Sequence, residues 1–105
     1  MWVVLNKAFL SIVADRNDPT RLLVRSRFRD DITAVFPDAK VTETPDADYR
    51  FRAFLHRDVV SSAVADAVGK IDYPNFKGSV WEQWRHDLYL KIWRILYDAQ
   101  NLLYR

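Results

Sequence analysis

The sequence offers few side chains for acid–base or nucleophilic chemistry. His56 and His86 are its only histidines, and two histidines can act as the acid and the base of a ribonuclease. No pattern in the sequence brings these two residues together, and a solvent-facing position is the simpler account of each. The absence of cysteine excludes disulfides, zinc–thiolate centres and cysteine nucleophiles. We therefore expect a protein that is not an enzyme, with a small ribonuclease kept as an alternative.

Patterns for cofactors and metals are also missing from the sequence. Gly69 and Gly78 are the only glycines, too few for a glycine-rich loop that cradles a phosphate. The aspartates between residues 15 and 31 lack the spacing of a calcium loop, and they stand at predicted turns and helix starts. We expect neither a cofactor nor a metal site.

Four arginines are spaced so that they can share one face of a β-sheet. Each of two predicted strands carries a pair of arginines two residues apart. Alternate residues of a strand point to the same face. The four residues are Arg25, Arg27, Arg50 and Arg52. If the two strands are neighbours, the guanidinium groups form one patch beside Phe54 and His56.

This arginine patch has two functional interpretations and one structural explanation. Guanidinium groups beside an aromatic ring suit single-stranded nucleic acid, because their charge attracts phosphates and the ring stacks on a base. The same groups suit an acidic protein surface. Alternatively, the patch is a solvated sheet face whose arginines pair with acids on neighbouring strands. The sequence alone leaves these three alternatives open.

Residues 79–105 are rich in aromatic side chains and contain no proline or glycine. A helix turns by about 100° per residue, so each side chain of this segment can be placed around the axis. The predicted core face holds Trp81, Trp84, Leu88, Ile92, Ile95, Leu96, Ala99, Leu102 and Leu103. The next arc holds Tyr89, Trp93, Tyr97 and Tyr104. A narrow charged ridge completes the helix.

The aromatic arc of this helix admits two explanations. It is either buried in a groove of its own chain or exposed as a contact surface for another protein or a second copy. Tyrosine and tryptophan are enriched at the cores of protein interfaces. A small domain with one sheet also has little room to cover two arcs of one helix. We therefore predict that Tyr89, Trp93, Tyr97 and Tyr104 bind a partner or mediate self-association.

Apolar periodicity and turn residues place seven elements around these side chains. Strands are predicted at residues 2–5, 8–14, 20–27 and 49–56, and helices at residues 30–36, 58–68 and 79–105. Pro37 ends the first helix and Gly69 the second. A capping box from Ser79 to Glu82 is expected to start the last helix. Residues 41–48 are expected to form a loop or a ragged edge strand.

This order of elements predicts an α+β fold. We expect an antiparallel sheet of three to four strands in the order βββαβαα, with helices packed on one face and a long C-terminal helix. A chain of 105 residues is expected to form a single domain, residues 1–105. The net charge of +2 is well below the charge density typical of dedicated nucleic-acid binders.

The hydropathy of the chain bears on its location. No window reaches the roughly eighteen uninterrupted apolar residues that a membrane span requires. The amino terminus also lacks the pattern of a secretory signal. We expect a cytoplasmic protein that does not enter a membrane, present as a monomer or a homodimer.

Four short segments resemble a family of short, uncharacterised proteins of bacteria and their phages. They are Leu22-Leu23-Val24-Arg25, Val35-Phe36-Pro37, Thr44-Pro45-Asp46-Ala47-Asp48-Tyr49-Arg50 and Ile71-Asp72-Tyr73-Pro74-Asn75-Phe76-Lys77. The resemblance covers most of residues 1–78 and implies no catalytic residue. Small cysteine-free chains of phages are often inhibitors of host defence, anti-CRISPR proteins among them, and this is an analogy of class.

The leading hypothesis is accordingly a small non-enzymatic binding protein of the anti-CRISPR type. It would block a surface of a protein or ribonucleoprotein complex. The alternative is a nucleic-acid-binding protein that uses the arginine patch. Replacing Trp93 and Tyr97 by alanine is expected to abolish partner binding without unfolding the chain.

Overall fold

The computed structural model describes residues 1–104 and has an α+β fold. The chain divides into two compact units, Met1–Asp72 and Tyr73–Arg105. The first unit contains the whole sheet and two helices, and the second contains two helices. The expectation of a single domain over residues 1–105 stays a prediction.

The first unit is built from five strands and two helices. In chain order they are β1 (Trp2–Val4), β2 (Phe9–Ala14), β3 (Arg21–Ser26), α1 (Asp31–Val35), β4 (Thr42–Glu43), β5 (Phe51–His56) and α2 (Arg57–Gly69). The sheet is antiparallel throughout, with strand order β1-β2-β3-β5-β4. The predicted α+β class and antiparallel sheet are confirmed, but five strands replace the expected three to four.

The additional strand is β4, which is two residues long and lies at the edge of the sheet. Thr42 pairs with Arg52, and Glu43 pairs with Phe51. The interpretation of residues 41–48 as a loop or a ragged edge strand is therefore confirmed in its second form. Such a short edge strand exposes few unpaired backbone groups to other chains.

The core of the first unit lies on one face of the sheet, beneath α1 and α2. Alternation along the strands directs Leu10, Ile12, Val24, Phe51 and Ala53 to this face. Residues of the helices and of the α1 C-cap pack against them, namely Ile32, Phe36 and Val60. Every residue of this cluster is at most 5 % exposed, so burial of apolar surface here holds the helices to the sheet.

The helices of the first unit begin and end close to the predicted positions. Helix α1 ends at Val35, and its C-cap Phe36 is followed by Pro37. The helix ends here because a residue before proline disfavours the helical conformation. Helix α2 starts after His56, whose Nδ1 accepts a hydrogen bond from the Asp58 amide at 3.1 Å. Helical spacing predicts that Val60, Val64 and Val68 share a buried stripe, but this is wrong at the C-terminal end, since Val68 is 63 % exposed.

The second unit contains α3 (Phe76–Ser79) and α4 (Gln83–Leu103). The long C-terminal helix is confirmed, but the capping box is not. The Ser79 hydroxyl donates to the Phe76 carbonyl at 2.6 Å and closes α3. Glu82 is the N-cap of α4 and makes no side-chain capping bond. A serine hydroxyl can bond a nearby carbonyl as readily as a helix amide, and the Ser79 hydroxyl bonds the carbonyl.

Within residues 1–104, no helix is long and apolar enough to cross a membrane.

Candidate functional site

The two strands that carry the arginine patch are neighbours in the sheet. β3 pairs with β5, and in this register Arg25 lies directly opposite Arg52. Opposite residues of an antiparallel pair point to the same face. The face that Arg25 and Arg52 share is the one turned away from the core cluster, because Val24 and Ala53 alternate with them.

Arg27 and Arg50 lie just beyond the ends of these strands and have different partners. Arg27 donates from Nη1 to the Asp48 carbonyl at 2.6 Å. Arg50 instead turns to the edge strand, where its Nη2 lies 2.7 Å from a carboxylate oxygen of Glu43. The same carboxylate receives Arg29 at 3.0 Å. Of the four predicted arginines, Arg50 is therefore the one that forms an ion pair with an acid.

Tyr49 organises the other three arginines. Its ring centroid lies 4.5 Å from Cζ of Arg25 and 4.0 Å from Cζ of Arg27, and its carbonyl accepts from Arg52 at 3.4 Å. Strand alternation alone would place Tyr49 on the same face as Phe51, but its ring lies against Arg25 and Arg27. β5 begins only at Phe51, so the alternation does not extend back to Tyr49.

Phe54 continues this face of the sheet beyond the arginines. Strand alternation places Phe54 on the same face as Arg52, and 49 % of it is exposed. The guanidinium of Arg21 lies 5.0 Å from its ring centroid. Arg21 is itself held by Asp15, whose carboxylate accepts from Nε at 2.9 Å and from Nη2 at 2.7 Å. Phe54 thus lies on the same face as Arg52, but the arginine in contact with its ring is Arg21, which is not one of the four predicted residues.

The aromatic arc of α4 is divided by burial. Tyr89 is only 4 % exposed, and its ring stacks on Phe76 with centroids 5.8 Å apart. Its hydroxyl is within 3.3 Å of Nη1 of Arg85. Tyr89 is therefore not available as a surface for a partner. This removes one of the four residues predicted for that role.

The remaining three aromatic residues of the arc are accessible. Trp93 is 41 % exposed, Tyr97 is 42 % exposed and Tyr104 is 81 % exposed. The rings of Trp93 and Tyr97 stack with centroids 5.0 Å apart and planes 13° apart. Nζ of Lys77 lies 4.0 Å from the Trp93 ring. The stack is thus a preformed and partly exposed aromatic surface.

The predicted core face of α4 is wrong in its C-terminal half. Ile95, Leu96, Leu102 and Leu103 are between 66 % and 73 % exposed. At the start of the segment, Trp81 is 86 % exposed. Periodicity placed these residues on one arc of the helix, but α3, the other helix of the second unit, does not cover that arc.

We call the exposed part of this helix the apolar end of α4. It consists of Trp93, Ile95, Leu96, Tyr97, Leu102 and Leu103. A monomeric protein rarely exposes so many large apolar side chains on contiguous helical turns, and such patches mark sites of interaction.

Neither histidine lies in an arrangement typical of a catalytic site. The Nδ1 lone pair of His56 is occupied by the Asp58 amide, so this ring caps a helix. Nδ1 of His86 is enclosed and makes no hydrogen bond within the part of the chain that the structure describes. The ribonuclease alternative stays a prediction. Among residues 1–104 no cluster of histidines and carboxylates can hold a metal ion.

Two buried residues that contact the predicted site residues were missed by the sequence patterns, Tyr49 and Arg85. Tyr49 was included in the predicted strand at residues 49–56, although β5 begins only at Phe51. Arg85 is 2 % exposed and pairs with Glu82 at 2.9 Å. The spacing of Glu82, Arg85 and Tyr89, at three and four residues, is the signal that such contacts leave in a helix.

No known protein family matches the chain, and comparisons with curated proteins and with solved structures find no match to it. The resemblance to short bacterial and phage proteins therefore stays a prediction.

Proposed function

We propose that this chain is a non-enzymatic binding protein that inserts the apolar end of α4 into a groove of another protein. The observation that carries the proposal is the exposure of that helix end, where Ile95, Leu96, Leu102 and Leu103 are each at least 66 % exposed. Apolar side chains on successive turns are the anchors with which a helix binds a hydrophobic groove. Burial of such a side chain contributes about 1.5–3 kcal/mol.

The distribution of these side chains around the helix favours a groove. At about 100° per residue, the apolar end spans about 220° of the circumference, from Leu102 to Tyr97. Arg94 and Asp98 occupy the remaining side and pair with each other at 3.1 Å. One neighbouring helix covers a stripe of only about 100°. A partner that contacts the helix from two sides is therefore needed to cover the surface.

This geometry also distinguishes a partner protein from a second copy of the chain. In a twofold dimer formed by α4 alone, each helix gains one helical neighbour. Such a neighbour leaves either Tyr97 or Ile95 in water, because the two lie about 160° apart around the axis. A groove between two elements of a different protein covers both.

The resemblance to phage proteins gives this proposal its specific form. An anti-CRISPR-type inhibitor acts by covering a surface of a protein or ribonucleoprotein complex, and a projecting apolar helix suits that role. The preformed stack of Trp93 on Tyr97 supports the same use, since rigid aromatic side chains lose little conformational entropy on binding.

The test compares partner capture by three forms of the chain. Tagged wild-type protein, W93A/Y97A and W81A are used as baits in a bacterial lysate, and bound proteins are quantified by mass spectrometry. Trp81 is the matched control, since it is an exposed tryptophan outside the apolar end. We expect a protein retained by wild type and W81A and lost by W93A/Y97A, and the purified partner should reproduce this order of affinity.

A second variant protects the test against loss of the fold. Leu96→Glu keeps a good helix former at a position that is 66 % exposed, and it should also lose the partner. Circular dichroism should give the same helix content for every variant. Partner binding that survives both W93A/Y97A and L96E, or a wild-type dimer that buries Trp93, would contradict the proposal.

The inhibitor form has its own readout. Bacteria with active CRISPR immunity that express the chain should become sensitive to the targeted phage, and expression of L96E should leave them immune. Unchanged immunity with the wild-type chain across the CRISPR types tried would reject this form while leaving partner capture as a separate result.

A further inference from the structure

Two like charges face each other in the centre of the sheet. Arg25 and Arg52 are directly opposed in the β3–β5 pair, and like charges in this position destabilise a sheet. Arg25 donates from Nη2 to the Ser11 hydroxyl at 2.9 Å, and Arg52 donates to the Tyr49 carbonyl at 3.4 Å. Both partners are neutral, so the repulsion between the guanidinium groups is not cancelled.

The third guanidinium at this place belongs to Arg27. It shares the ring of Tyr49 with Arg25, at 4.0 Å and 4.5 Å from the centroid. Tyr49 is 6 % exposed. A buried ring in contact with two guanidinium groups fixes their positions and attracts both cations through its electron-rich face. We call Arg25, Arg27 and Arg52 with Tyr49 the arginine–tyrosine cluster.

Among the described residues, no acid is paired with the arginines of this cluster. Among residues 1–104, no carboxylate lies within 4.0 Å of Arg25, Arg27 or Arg52. The other arginines of the sheet differ, because Arg21 pairs with Asp15 and Arg50 pairs with Glu43.

The cluster also has unused hydrogen-bond donors. Nε of Arg25 and Nε of Arg52 are enclosed, and neither donates a hydrogen bond within the described part of the chain. Leaving a buried donor unsatisfied is costly, and such groups mark functional positions. Three guanidinium groups held close together, with no acid beside them among the described residues, form a positive surface that suits an anion.

We propose that the arginine–tyrosine cluster binds a backbone phosphate of single-stranded nucleic acid, with the adjacent base stacked on Phe54. Guanidinium groups bind phosphate oxygens in pairs of parallel hydrogen bonds. Phe54 is two residues from Arg52 on the same face, a distance of about 7 Å along the strand, and 49 % of it is exposed. A ring at this distance can stack on a base while its phosphate contacts the arginines. The site does not depend on the function proposed for α4.

The test measures binding of a fluorescently labelled oligo-dT by anisotropy at low salt. Wild-type protein should bind, and its affinity should fall with added salt, because bound phosphates release counterions. Arg27→Gln should weaken binding about tenfold and should lower the slope of log affinity against log salt by about 0.7. Arg27 is exposed, so this variant is expected to fold.

The matched control is Arg50→Gln, because it removes the same charge from an arginine that is paired with Glu43 and lies outside the cluster. It should change the affinity by less than about twofold, a smaller change than the loss of one direct contact with a phosphate would cause. An equal loss in R27Q and R50Q would overturn the site, since it would indicate a general effect of charge. Absence of oligonucleotide binding at low salt would overturn it as well.

Two further arms separate nucleic acid from free phosphate. Phe54→Ala should weaken the oligonucleotide about tenfold, the loss of one stacked base, and inorganic pyrophosphate should compete only weakly. Competition by pyrophosphate at the affinity of the oligonucleotide, with no effect of F54A, would reject nucleic acid as the ligand. Circular dichroism melting of every variant should confirm that the fold is retained.

Discussion

Glu43 and Arg50 form a two-point contact at the edge of the sheet. One carboxylate oxygen accepts from Nε of Arg50 at 2.8 Å and lies 2.7 Å from its Nη2. Arg29 donates to the other oxygen at 3.0 Å. The hydrogen bonds from Arg50, followed by those from Arg29, lower the pKa of Glu43 from its ordinary value of 4.5. One residue of the two-residue strand β4 therefore joins three parts of the first unit.

This contact predicts how stability depends on pH. Because the pKa of Glu43 is lower in the folded chain than its ordinary 4.5, its stabilising contribution is complete above pH 4.5. It is lost as the pH falls below 4.5 and through the lowered pKa. Glu43→Gln does not titrate, so its free energy of unfolding should fall less steeply in this range. Urea denaturation at a series of pH values measures the slope.

The partner of Glu43 provides the matching variant for this experiment. Arg50→Gln removes the first cause of the lowered pKa and should also make the pH dependence shallower. If the free energy of unfolding of E43Q and of R50Q depended on pH as steeply as that of the wild type, Glu43 would contribute nothing to the acid sensitivity of the fold.

Replacing Asp15 is expected to lower the free energy of unfolding by more than the loss of an exposed ion pair does. Its side chain is 1 % exposed and accepts from the Asn17 amide at 2.9 Å and from Arg21 at 2.7 Å. Asp15→Asn weakens the charge-assisted bond to Arg21 and should lower the free energy of unfolding by about 1–3 kcal/mol. Asp66→Asn is the control, because the Asp66–Lys70 pair is exposed and its loss should cost less than about 0.5 kcal/mol. Equal effects in the two variants would contradict a structural role for Asp15.

The parts of the fold that were predicted correctly are those that local patterns determine. Alternation identifies β2, β3 and β5, and Pro37 stops α1 because its effect is on the residue before it. β4 has only two residues, too few to alternate. It exists because Thr42 and Glu43 pair with β5, and such pairing between distant residues leaves no local signal.

The candidate surfaces show the same division. Period-two spacing was sufficient to place Arg25 and Arg52 on one face, and the pairing of β3 with β5 then brought them together. Spacing could not show that Tyr49 lies outside β5, because the start of β5 depends on where its pairing with β3 ends. In α4, spacing assigned Leu102 to the correct arc, but an arc is buried only where another element covers it.

His56 is expected to stabilise the first turn of α2. Its Nδ1 accepts from the Asp58 amide and so satisfies one of the free donors of the first turn. His56→Ala should therefore destabilise the chain by about 0.5–2 kcal/mol, and His56→Asn should restore most of the loss. Urea unfolding followed by circular dichroism measures both variants. An alanine variant as stable as wild type would show that this side chain does not cap the helix and would free it for another role.

A pair of leucine substitutions tests whether the apolar end of α4 is exposed. Leu10 is 0 % exposed at the centre of the core and Leu102 is 68 % exposed. Leu10→Ala should cost about 2–5 kcal/mol, because it removes contacts and leaves a cavity that the sheet cannot close. Leu102→Ala removes the same atoms from water-exposed surface and should change stability by less than about 0.5 kcal/mol. Both values come from urea unfolding of the purified chain at low concentration, where association is weak. A cost of several kcal/mol for L102A would mean that this face is covered by the chain itself, as the sequence had predicted, and the apolar end would then be lost as a surface for a partner.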